Sequence, residues 1–568
     1  MPQDISSKDG NDIESHDFEE RADYLPDDFI IGKTAKDEHF SSIQSKIFQV
    51  GAKLLIGPRG TGKTHHMRLA YLVCEEDIKK PLALYISFNH YLRLETYLTE
   101  SSNAVSVFHA WVLSKILREC LKVLDQPSEH PELSLESLQS FIEAVEKQQY
   151  NSAHDELVYA ISIEKTIFYV EKATAAKGRK RAVLLLDDAA LTLTPAYMIE
   201  FFEVFRSLKT AHISPKASVY PGSTQYGPRF HLGHDAEPVN VWLSVENPKY
   251  LSFMTALTDN RFESDLNIPV EVLDLLKYAA FGNPRSYIMM VRDYEQSGST
   301  TAQSGFNKVI SERKGFIIDE YMSLSQKLPQ YGGIISTGRE FINRIISLLK
   351  ILNYEKLDAG DSDAFEKTIT VGLANLPVKA ERMIRFLIEA GLLYEADPVS
   401  HGPERKLRRF IPHAVMLFEA RVLTKSRGFN ASVLLSRIKS KSSKHPARPS
   451  LERLLPTSDL ALLELDLPPC TNCGASRMAE KQKFCHNCGK TLVDESAFKR
   501  CMETELNQLP LTAFQKKSIS DYTNFKTVGD VIKSQDPANE LQKAHRVKAA
   551  RAYDIYTRVN RWVDEFLV

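Results

Sequence analysis

The chain has 568 residues and a mass of 64.3 kDa, which is too long for one hydrophobic core and indicates roughly three to five domains. Its formal net charge of −1 excludes a uniformly basic or acidic protein, and its 43% of apolar residues is ordinary for a globular one. No apolar run reaches the ~18–20 residues of a membrane span, and the amino terminus lacks a secretion signal. We therefore expect a cytoplasmic protein without a membrane partner.

Charge is unevenly distributed along the chain. The first 28 residues contain ten Asp or Glu against two basic residues, a composition too polar to form a core. We expect residues 1–27 to be a disordered acidic tail. Residues 436–450 are basic and rich in Ser and Pro, which predicts a basic linker over 429–465. That linker is either simply solvated or in contact with an acidic polymer.

Residues 52–71 read as a short apolar strand, a glycine-rich turn and a helix. The turn matches the pattern G-x-x-x-x-G-K-[ST], which is typical of phosphate-binding loops. Backbone N–H groups of such a loop converge on phosphate oxygens, Lys63 reaches the β- and γ-phosphates, and Thr64 ligates Mg²⁺. The expected ATP-binding residues are Gly57, Pro58, Arg59, Gly60, Thr61, Gly62, Lys63 and Thr64.

A second strand supplies the acidic partner that such a loop needs. Four apolar residues, 183–186, precede Asp187 and Asp188, as in a buried parallel strand whose carboxyl end reaches the site. We expect Asp187 to hold the Mg²⁺ shell and Asp188 to orient or deprotonate the attacking water.

The next apolar strand, around 217–220, ends in a turn with small hydroxyl side chains. Thr224 is the candidate for a contact with the γ-phosphate and Ser223 the next choice, although both fit a plain turn. Arg229 is a candidate arginine finger that reaches the nucleotide of a neighbouring subunit, with Arg261 as a rival. Either arginine also fits an ordinary surface position.

The sequence Gly-Asn-Pro-Arg at 282–285 ends one predicted helix and opens the next. Together with the P-loop, the "LLLDD" strand and the polar turn, it resembles the AAA+ ATPases, especially the origin-recognition-complex-like initiator clade. STAND signalling ATPases are similar. The resemblance covers residues 28–425 and implies an α/β P-loop NTPase core with a parallel sheet over 28–265, followed by a helical lid over 266–330.

The resemblance also implies roles for particular residues. It assigns a lid arginine that faces the nucleotide to Arg285, and it places an adenine-contacting segment at Ile30, Ile31 and Gly32. Asp188 stands where AAA+ proteins usually have Glu, which favours the STAND group or slow hydrolysis. Because a finger arginine acts on the nucleotide of a neighbouring subunit, it further implies a nucleotide-dependent homo-oligomer.

The order helix, strand, loop, strand predicts a winged-helix domain over 331–428. Basic residues are concentrated on its helix and on one wing strand, where they would meet double-stranded DNA or remain solvated beside nearby glutamates. They are Lys379, Arg382, Arg385, Arg405, Lys406, Arg408 and Arg409.

Four cysteines form two C-x2-C pairs separated by eleven residues, and a glycine follows each pair. This spacing lets four thiolates bind one tetrahedral Zn²⁺, so we expect a structural zinc ribbon over 466–494. With four cysteines no ligand position remains for water. The predicted ligands are Cys470, Cys473, Cys485 and Cys488.

Residues 495–568 predict a small all-helical domain that resembles the helix-hairpin-helix domain of the RNA polymerase alpha subunit. Its basic residues would bind DNA, or the domain would bind a protein partner. The basic residues concerned are Lys543, Arg546, Lys548 and Arg551.

Three functions are compatible with these motifs. The first is an ATP-hydrolysing AAA+ switch that acts on or assembles with DNA, and the second is a STAND-like signalling or defence ATPase whose C-terminal modules recruit proteins. The third, a scaffold without hydrolysis, is disfavoured because it would need neither Lys63 nor Asp188.

Overall fold

The computed structural model describes residues 21–88, 94–95, 97, 103–125, 129–189, 195–222, 224–262, 266–358, 367–400, 406–425, 429–440, 446–479, 482, 484–490, 492, 497–534, 536–544 and 547–567. Most of the expected acidic tail lies outside these residues. Among the helices of the described residues, none is both long and apolar enough to cross a bilayer.

A five-stranded parallel sheet organises the first part of the chain, with the spatial order β2-β3-β4-β1-β5. The strand that leads into the P-loop, β1, is thus separated from the acidic strand β3 by one additional strand, β4. This order confirms the α/β P-loop fold class. The strands are β1 (Lys53–Ile56), β2 (Leu82–Ser87), β3 (Ala182–Asp187), β4 (Ile213–Val219) and β5 (Glu237–Asn240).

Both faces of this sheet are buried, which explains the continuous apolar run in β3. Leu184 and Leu186 belong to the core on one face, whereas Val183 and Leu185 belong to the core on the other. The helices of this part are α1 (Asp27–Lys33), α2 (Glu38–Phe48), α3 (Lys63–Glu76), α4 (Ala104–Leu124), α5 (Leu135–Glu146), α6 (Asp155–Ala160), α7 (Ile163–Ala176) and α8 (Pro195–Ser207). Helices α4–α7 form an insertion between β2 and β3.

The next part is mostly helical and includes the predicted lid. Its helices are α9 (Tyr250–Arg261), α10 (Val270–Ala279), α11 (Pro284–Glu295), α12 (Ala302–Lys327) and α13 (Gly332–Asp358). We refer to residues 266–330 as the lid region.

A small antiparallel sheet with spatial order β6-β8-β7 follows, and we refer to residues 367–425 as the wing region. The predicted order of helix, strand and strand is present here. Lid and wing regions share one continuous hydrophobic core, so they form one body. The elements are β6 (Val371–Leu373), α14 (Val378–Glu389), β7 (Leu393–Ser400), β8 (Lys406–Pro412) and α15 (Ala414–Glu419).

The segment 429–465, predicted as a basic linker, packs onto this body in its described residues. Leu434 and Ile438 of α16 (Ala431–Lys439) are buried, and α16 lies against α10. The prediction of a flexible linker is wrong here because these apolar side chains, spaced four residues apart among charges, cover the lid. Short helices α17 (Leu451–Leu454) and α18 (Thr457–Ala461) follow.

The last part is all-helical, as expected, and its helices pack around a core that includes Val531, Leu541 and Val559. Among the described residues, contacts between this part and the rest of the chain include the Phe498 N–H, which donates to Glu95 Oε2 at 2.9 Å, and the Arg500 guanidinium, which donates to the Lys327 carbonyl. Its helices are α19 (Ala497–Glu503), α20 (Ala513–Tyr522), α21 (Val528–Lys533), α22 (Pro537–Gln542) and α23 (Ala549–Leu567).

Wing arginines that were predicted to meet DNA are engaged within the chain. Arg408 pairs with Glu395 at 2.7 Å and with Glu381, and Arg409 pairs with Glu246 at 3.2 Å in a nearly dry environment. Glu246 lies just after the parallel sheet, so the second pair ties the wing region to the core. Arg405 lies outside the described residues.

Removal of one partner from this buried pair should destabilise the protein strongly. Arg409→Leu leaves the Glu246 carboxylate buried without its cation, which typically costs about 3–5 kcal/mol. We expect a clearly lower denaturant midpoint in chemical unfolding. The control is Lys379→Ala, which removes the partner of Glu464 in an exposed pair and should leave the midpoint unchanged. Equal midpoints for the two variants would contradict the assignment.

Candidate functional site

The P-loop connects β1 to α3 and has the conformation that its glycines allow. Gly60 and Gly62 adopt φ angles of +86° and +90°, a region that other residues rarely occupy. The Lys63 ammonium group is buried and donates to the carbonyls of Gly57 at 2.6 Å and Pro58 at 3.0 Å. All the residues predicted to bind phosphate therefore lie in one loop and one helix start.

Charged groups from several elements act on Lys63. Burial lowers the pKa of its ammonium to about 7, while the carboxylates of Asp187 and Asp188 oppose that shift. The guanidinium groups of Arg285 and Arg59 lower the pKa further. The lysine, both predicted acidic residues and Arg285 are therefore close enough to interact electrostatically.

Asp187 is fully buried at the end of β3 and is held by three donors. Tyr85 Oη donates to Oδ2 at 2.8 Å, and Ser218 Oγ and the Asp188 N–H donate to Oδ1 at 2.7 and 3.0 Å. Ser218 comes from the interposed strand β4. These donors fix the direction of the carboxylate group.

Sequence reasoning did not identify Tyr85 and Ser218, because neither belongs to a recognisable motif. Only the pairing of β2 and β4 with β3 brings them to Asp187. Asp188 itself has a φ of +52°, so the chain turns sharply where β3 ends.

The Gly-Asn-Pro-Arg turn lies directly on the P-loop. The Asn283 side chain accepts from Ser286 N–H at 3.1 Å, which caps α11, and donates to the Arg59 carbonyl at 2.8 Å. The Arg285 N–H donates to the Gly60 carbonyl at 3.3 Å. A Cβ atom at Gly60 would lie 2.5 Å from Asn283 Oδ1, so only glycine permits this approach. The structure thus brings Arg285 to the P-loop.

Thr224 lies in the loop that follows β4 and bonds to the backbone of that loop. Its hydroxyl donates to the Tyr220 carbonyl at 2.6 Å, and the side chain is buried within the loop that follows β4. The hydroxyl therefore stabilises the loop, and its contact with a γ-phosphate stays a prediction. Ser223, the second choice, lies outside the described residues.

The two candidate finger arginines differ in accessibility. Arg229 is exposed on the loop after β4, as a residue that reaches a neighbouring subunit must be. Arg261 is buried, with its guanidinium 4.6 Å from the ring centroid of Phe29, so this rival is disfavoured. The finger role of Arg229 stays a prediction.

The predicted adenine-contacting segment packs against the P-loop helix α3. Ile30 is fully buried in a small core with Leu25, Phe40 and Leu69, so its side chain supports the segment from within that core. The Thr34 hydroxyl is 2.8 Å from His65 Nε2 on α3. The segment is thus attached to the helix that carries Lys63.

A cavity of about 490 Å³ lies beside the P-loop, between the sheet, the lid region and the wing region. Arg59, Tyr220 and Arg285 line its P-loop side, and Glu389 and His413 line its wing side. The wing region approaches closely, since a Cβ atom at Gly222 would lie 2.8 Å from the Arg385 carbonyl.

The chain is distantly similar to solved structures of other proteins. No protein-family model and no curated protein matches the sequence, but solved structures do. The Walker-type ATPase PABY2304 of Pyrococcus abyssi shares 12% identity at a TM-score of 0.36, covering 68% of this chain and 96% of that one. The Aeropyrum pernix Orc1 protein in complex with DNA shares 12% at 0.29, covering 69% and 95%.

Cdc6p from Pyrobaculum aerophilum shares 13% identity at a TM-score of 0.30, covering 73% of this chain and 98% of that one. The strand order of the described residues, with its additional strand, defines the fold here.

Four thiolates form the second candidate site. Their sulfur atoms lie within 4.8 Å of one another, with Cys470 and Cys488 3.6 Å apart and Cys473 and Cys485 3.5 Å apart. A tetrahedron with Zn–S bonds of about 2.3 Å has edges of about 3.8 Å, so the cluster fits Zn²⁺.

The two cysteine pairs have matching backbone turns. Gly474 N–H donates to the Cys470 carbonyl at 2.8 Å, Gly489 N–H donates to the Cys485 carbonyl at 2.9 Å, and the glycine φ angles are +71° and +72°. This repeat explains why a glycine follows each pair.

The cysteine cluster should retain one zinc ion per chain. Cys473→Ser removes one of four thiolate ligands and should abolish zinc retention, as measured by elemental analysis after dialysis. The control Cys501→Ala changes a buried thiol outside the cluster and should retain zinc. Equal zinc content in both variants would contradict the assignment.

His413 should make the lid and wing body sensitive to acid. Burial, assisted by Arg313, lowers the pKa of His413 to about 3, and its Nδ1 accepts the Val415 N–H at 3.2 Å. Below about pH 6.5, His413 binds a proton in the unfolded chain but not in the folded chain. The free energy of unfolding is therefore highest above that pH and falls by about 1.4 kcal/mol for each pH unit as the pH decreases.

The variant His413→Asn retains a capping acceptor without titrating, and its unfolding free energy should depend less on pH between 6.5 and 4 than that of the wild type. The control is His212→Asn, at an exposed position, which should follow the wild type. Parallel curves for His413→Asn and the wild type would refute this role.

Proposed function

We propose that the chain is a Mg²⁺-dependent ATPase that works as a nucleotide-controlled switch and associates with DNA. The observation that carries this proposal is the convergence of Lys63, Asp187, Asp188 and Arg285, from three separate segments, at one P-loop. A merely structural glycine turn needs none of these partners.

Each side chain has a distinct task in this proposal. The backbone N–H groups of residues 57–62 bind the phosphates, and Lys63 exchanges its loop carbonyls for phosphate oxygens. Asp188 orients or deprotonates the attacking water, and Arg285 stabilises charge on the transferred phosphoryl group.

The residues present also fit Mg²⁺, since the Thr64 hydroxyl and the Asp187 carboxylate are the oxygen ligands that this ion prefers. Bound with ATP, Mg²⁺ would neutralise charge on the β- and γ-phosphates. Tyr85 and Ser218 hold the Asp187 carboxylate in one orientation, which prepares it to act as a ligand.

Double-stranded DNA is the partner that we propose, and exposed cations of the wing region support it. Lys379, Arg385 and Lys406 are exposed, although Lys379 pairs with Glu464, whereas Arg408 and Arg409 are engaged in less exposed ion pairs. Exposed Arg229 would complete the site of a neighbouring copy in a nucleotide-dependent homo-oligomer. The zinc ribbon and the last helical domain would then bind DNA or a protein.

ATP turnover tests the proposal directly. The wild type should hydrolyse ATP, Lys63→Ala should lose at least 90% of the activity, and duplex DNA should stimulate the wild type several-fold in a salt-dependent manner. The control is Lys172→Ala on α7, which removes a partly exposed cation that pairs with Glu129 outside the candidate site, and it should leave turnover unchanged. Equal rates for wild type and Lys63→Ala would refute the nucleotide site.

A second function, a STAND-like assembly switch that recruits proteins, is favoured by the docked wing region. Glu389 and His413 line the same cavity as Arg59 and Arg285, so nucleotide binding and wing position are coupled sterically. This function predicts ATP-driven oligomerisation without DNA. Light scattering with ATP, ADP and no nucleotide distinguishes it from the first function.

A further inference from the structure

A second cavity, of about 530 Å³, lies between helices α2 and α3, and we refer to it as the α2–α3 groove. Ligand cavities usually measure about 300–1,000 Å³, so this volume suits a small organic molecule. Four apolar side chains, Phe40, Phe48, Leu69 and Val73, line it. The groove shares no lining residue with the cavity beside the P-loop, so it is separate from the candidate nucleotide site.

The charged side chains of the α2–α3 groove all have the same sign. Among its described lining residues, Lys36, Lys80 and Arg181 are basic and none is acidic. Lys80 and Arg181 lie just before the paired strands β2 and β3, and the Leu82 N–H donates to the Arg181 carbonyl at 2.9 Å. Lys80 Nζ lies 4.3 Å from the ring centroid of Phe48. This end of the groove is therefore suited to an anion.

Two buried polar atoms of the groove residues have no hydrogen-bond partner among the described residues. They are Arg181 Nη1, a donor, and Gln44 Oε1, an acceptor. Gln44 is only 9% exposed, and its Nε2 donates to the His66 carbonyl at 2.9 Å. Since that carbonyl only accepts, the amide nitrogen must face it, and Oε1 is left without a donor.

Buried polar groups in proteins are nearly always paired, so these two atoms indicate a missing partner molecule. Such a molecule offers an acceptor to Arg181 and a donor to Gln44. An anionic group supplies the acceptor and matches the cations of the groove, while a hydroxyl or amino group supplies the donor. The apolar side chains between them fit an apolar or aromatic body.

The groove also touches the first turn of the P-loop helix. The Phe40 ring stacks on the His66 ring at 4.2 Å, and Gln44 Nε2 lies 3.1 Å from His66 Nδ1. The His66 N–H donates to the Gly62 carbonyl at 2.9 Å, which places His66 in the turn that begins at Lys63. A molecule bound against Phe40 and Gln44 would therefore contact the residues that support this turn.

We propose that the α2–α3 groove binds a small organic phosphate. Arg181 and Lys80 donate hydrogen bonds to the phosphate oxygens, and a hydroxyl or amino group of the ligand donates to Gln44 Oε1. Its apolar body lies against the apolar side chains of the groove. Bound there, the ligand acts on the P-loop helix through Gln44 and His66. This site goes beyond the proposed function, because it needs neither ATP hydrolysis nor DNA.

Isothermal titration calorimetry of the full chain tests the site, with Mg²⁺ and a saturating non-hydrolysable ATP analogue present to occupy the P-loop. The probes are adenosine 5′-monophosphate (AMP) and phenyl phosphate, and inorganic phosphate is the comparison. At least one of the two organic probes should bind about tenfold or more tightly than inorganic phosphate, because the groove also contacts the apolar body.

Substitutions in the groove assign that binding to it. Arg181→Gln and Lys80→Gln should each weaken the organic probe about tenfold or more, since each removes a charge-assisted hydrogen bond. Gln44→Leu should weaken AMP, whose ribose carries hydroxyl donors, about fivefold. The matched control is Lys79→Gln, an exposed cation next to Lys80 that does not line the groove, and it should bind like the wild type.

Three results would overturn the site: neither organic probe binds more tightly than inorganic phosphate, Arg181→Gln and Lys80→Gln bind like the wild type, or only duplex DNA loses affinity in these variants. Because the two cations lie on separate segments, Lys80→Gln keeps the test valid if Arg181→Gln does not fold. Equal ATP turnover in the wild type and Lys63→Ala would refute the proposed function alone, since AMP binding that depends on Arg181 would still support the groove.

Discussion

The contact between the Gly-Asn-Pro-Arg turn and Gly60 is the constraint on which the rest of the site depends. Asn283 caps α11 and binds the Arg59 carbonyl, while the Arg285 N–H binds the Gly60 carbonyl. Any side chain at Gly60 would collide with Asn283, so the lid and the P-loop can approach only because that position is glycine. Through this contact, the helix that carries Arg285 begins at the phosphate-binding loop.

The lid and the wing region share one hydrophobic core, so the contact between the turn at 282–285 and the P-loop also connects the P-loop to the wing region. A change of the P-loop on nucleotide binding would act on the turn at 282–285 and, through the common core, on the wing region. The Arg409–Glu246 pair and the approach of Arg385 to Gly222 attach the wing to the sheet a second time. The P-loop side of the molecule and the wing region are therefore joined by packing at two places.

Strand order explains how the acidic side of the site is built. Since β4 lies between β1 and β3, its end delivers side chains to both motifs: Ser218 binds the Asp187 carboxylate, and Tyr220 lies against Lys63. The additional strand thus supplies the groups that orient the acid and face the lysine. A direct β1–β3 pairing would leave no place for them.

The sequence by itself determined the features whose geometry is local. Glycine spacing defines the P-loop, the C-x2-C pairs define the cysteine cluster, and an apolar run before an acid defines β3, because each needs only neighbouring residues to form. Tertiary structure decided what depends on residues distant in sequence. Arg409 and the helix at 431–439 are buried by tertiary packing, and strand pairing brings Ser218 and Tyr220 to the site. Neither result could be predicted, because hydrogen bonds and burial between separate elements leave no pattern along the chain.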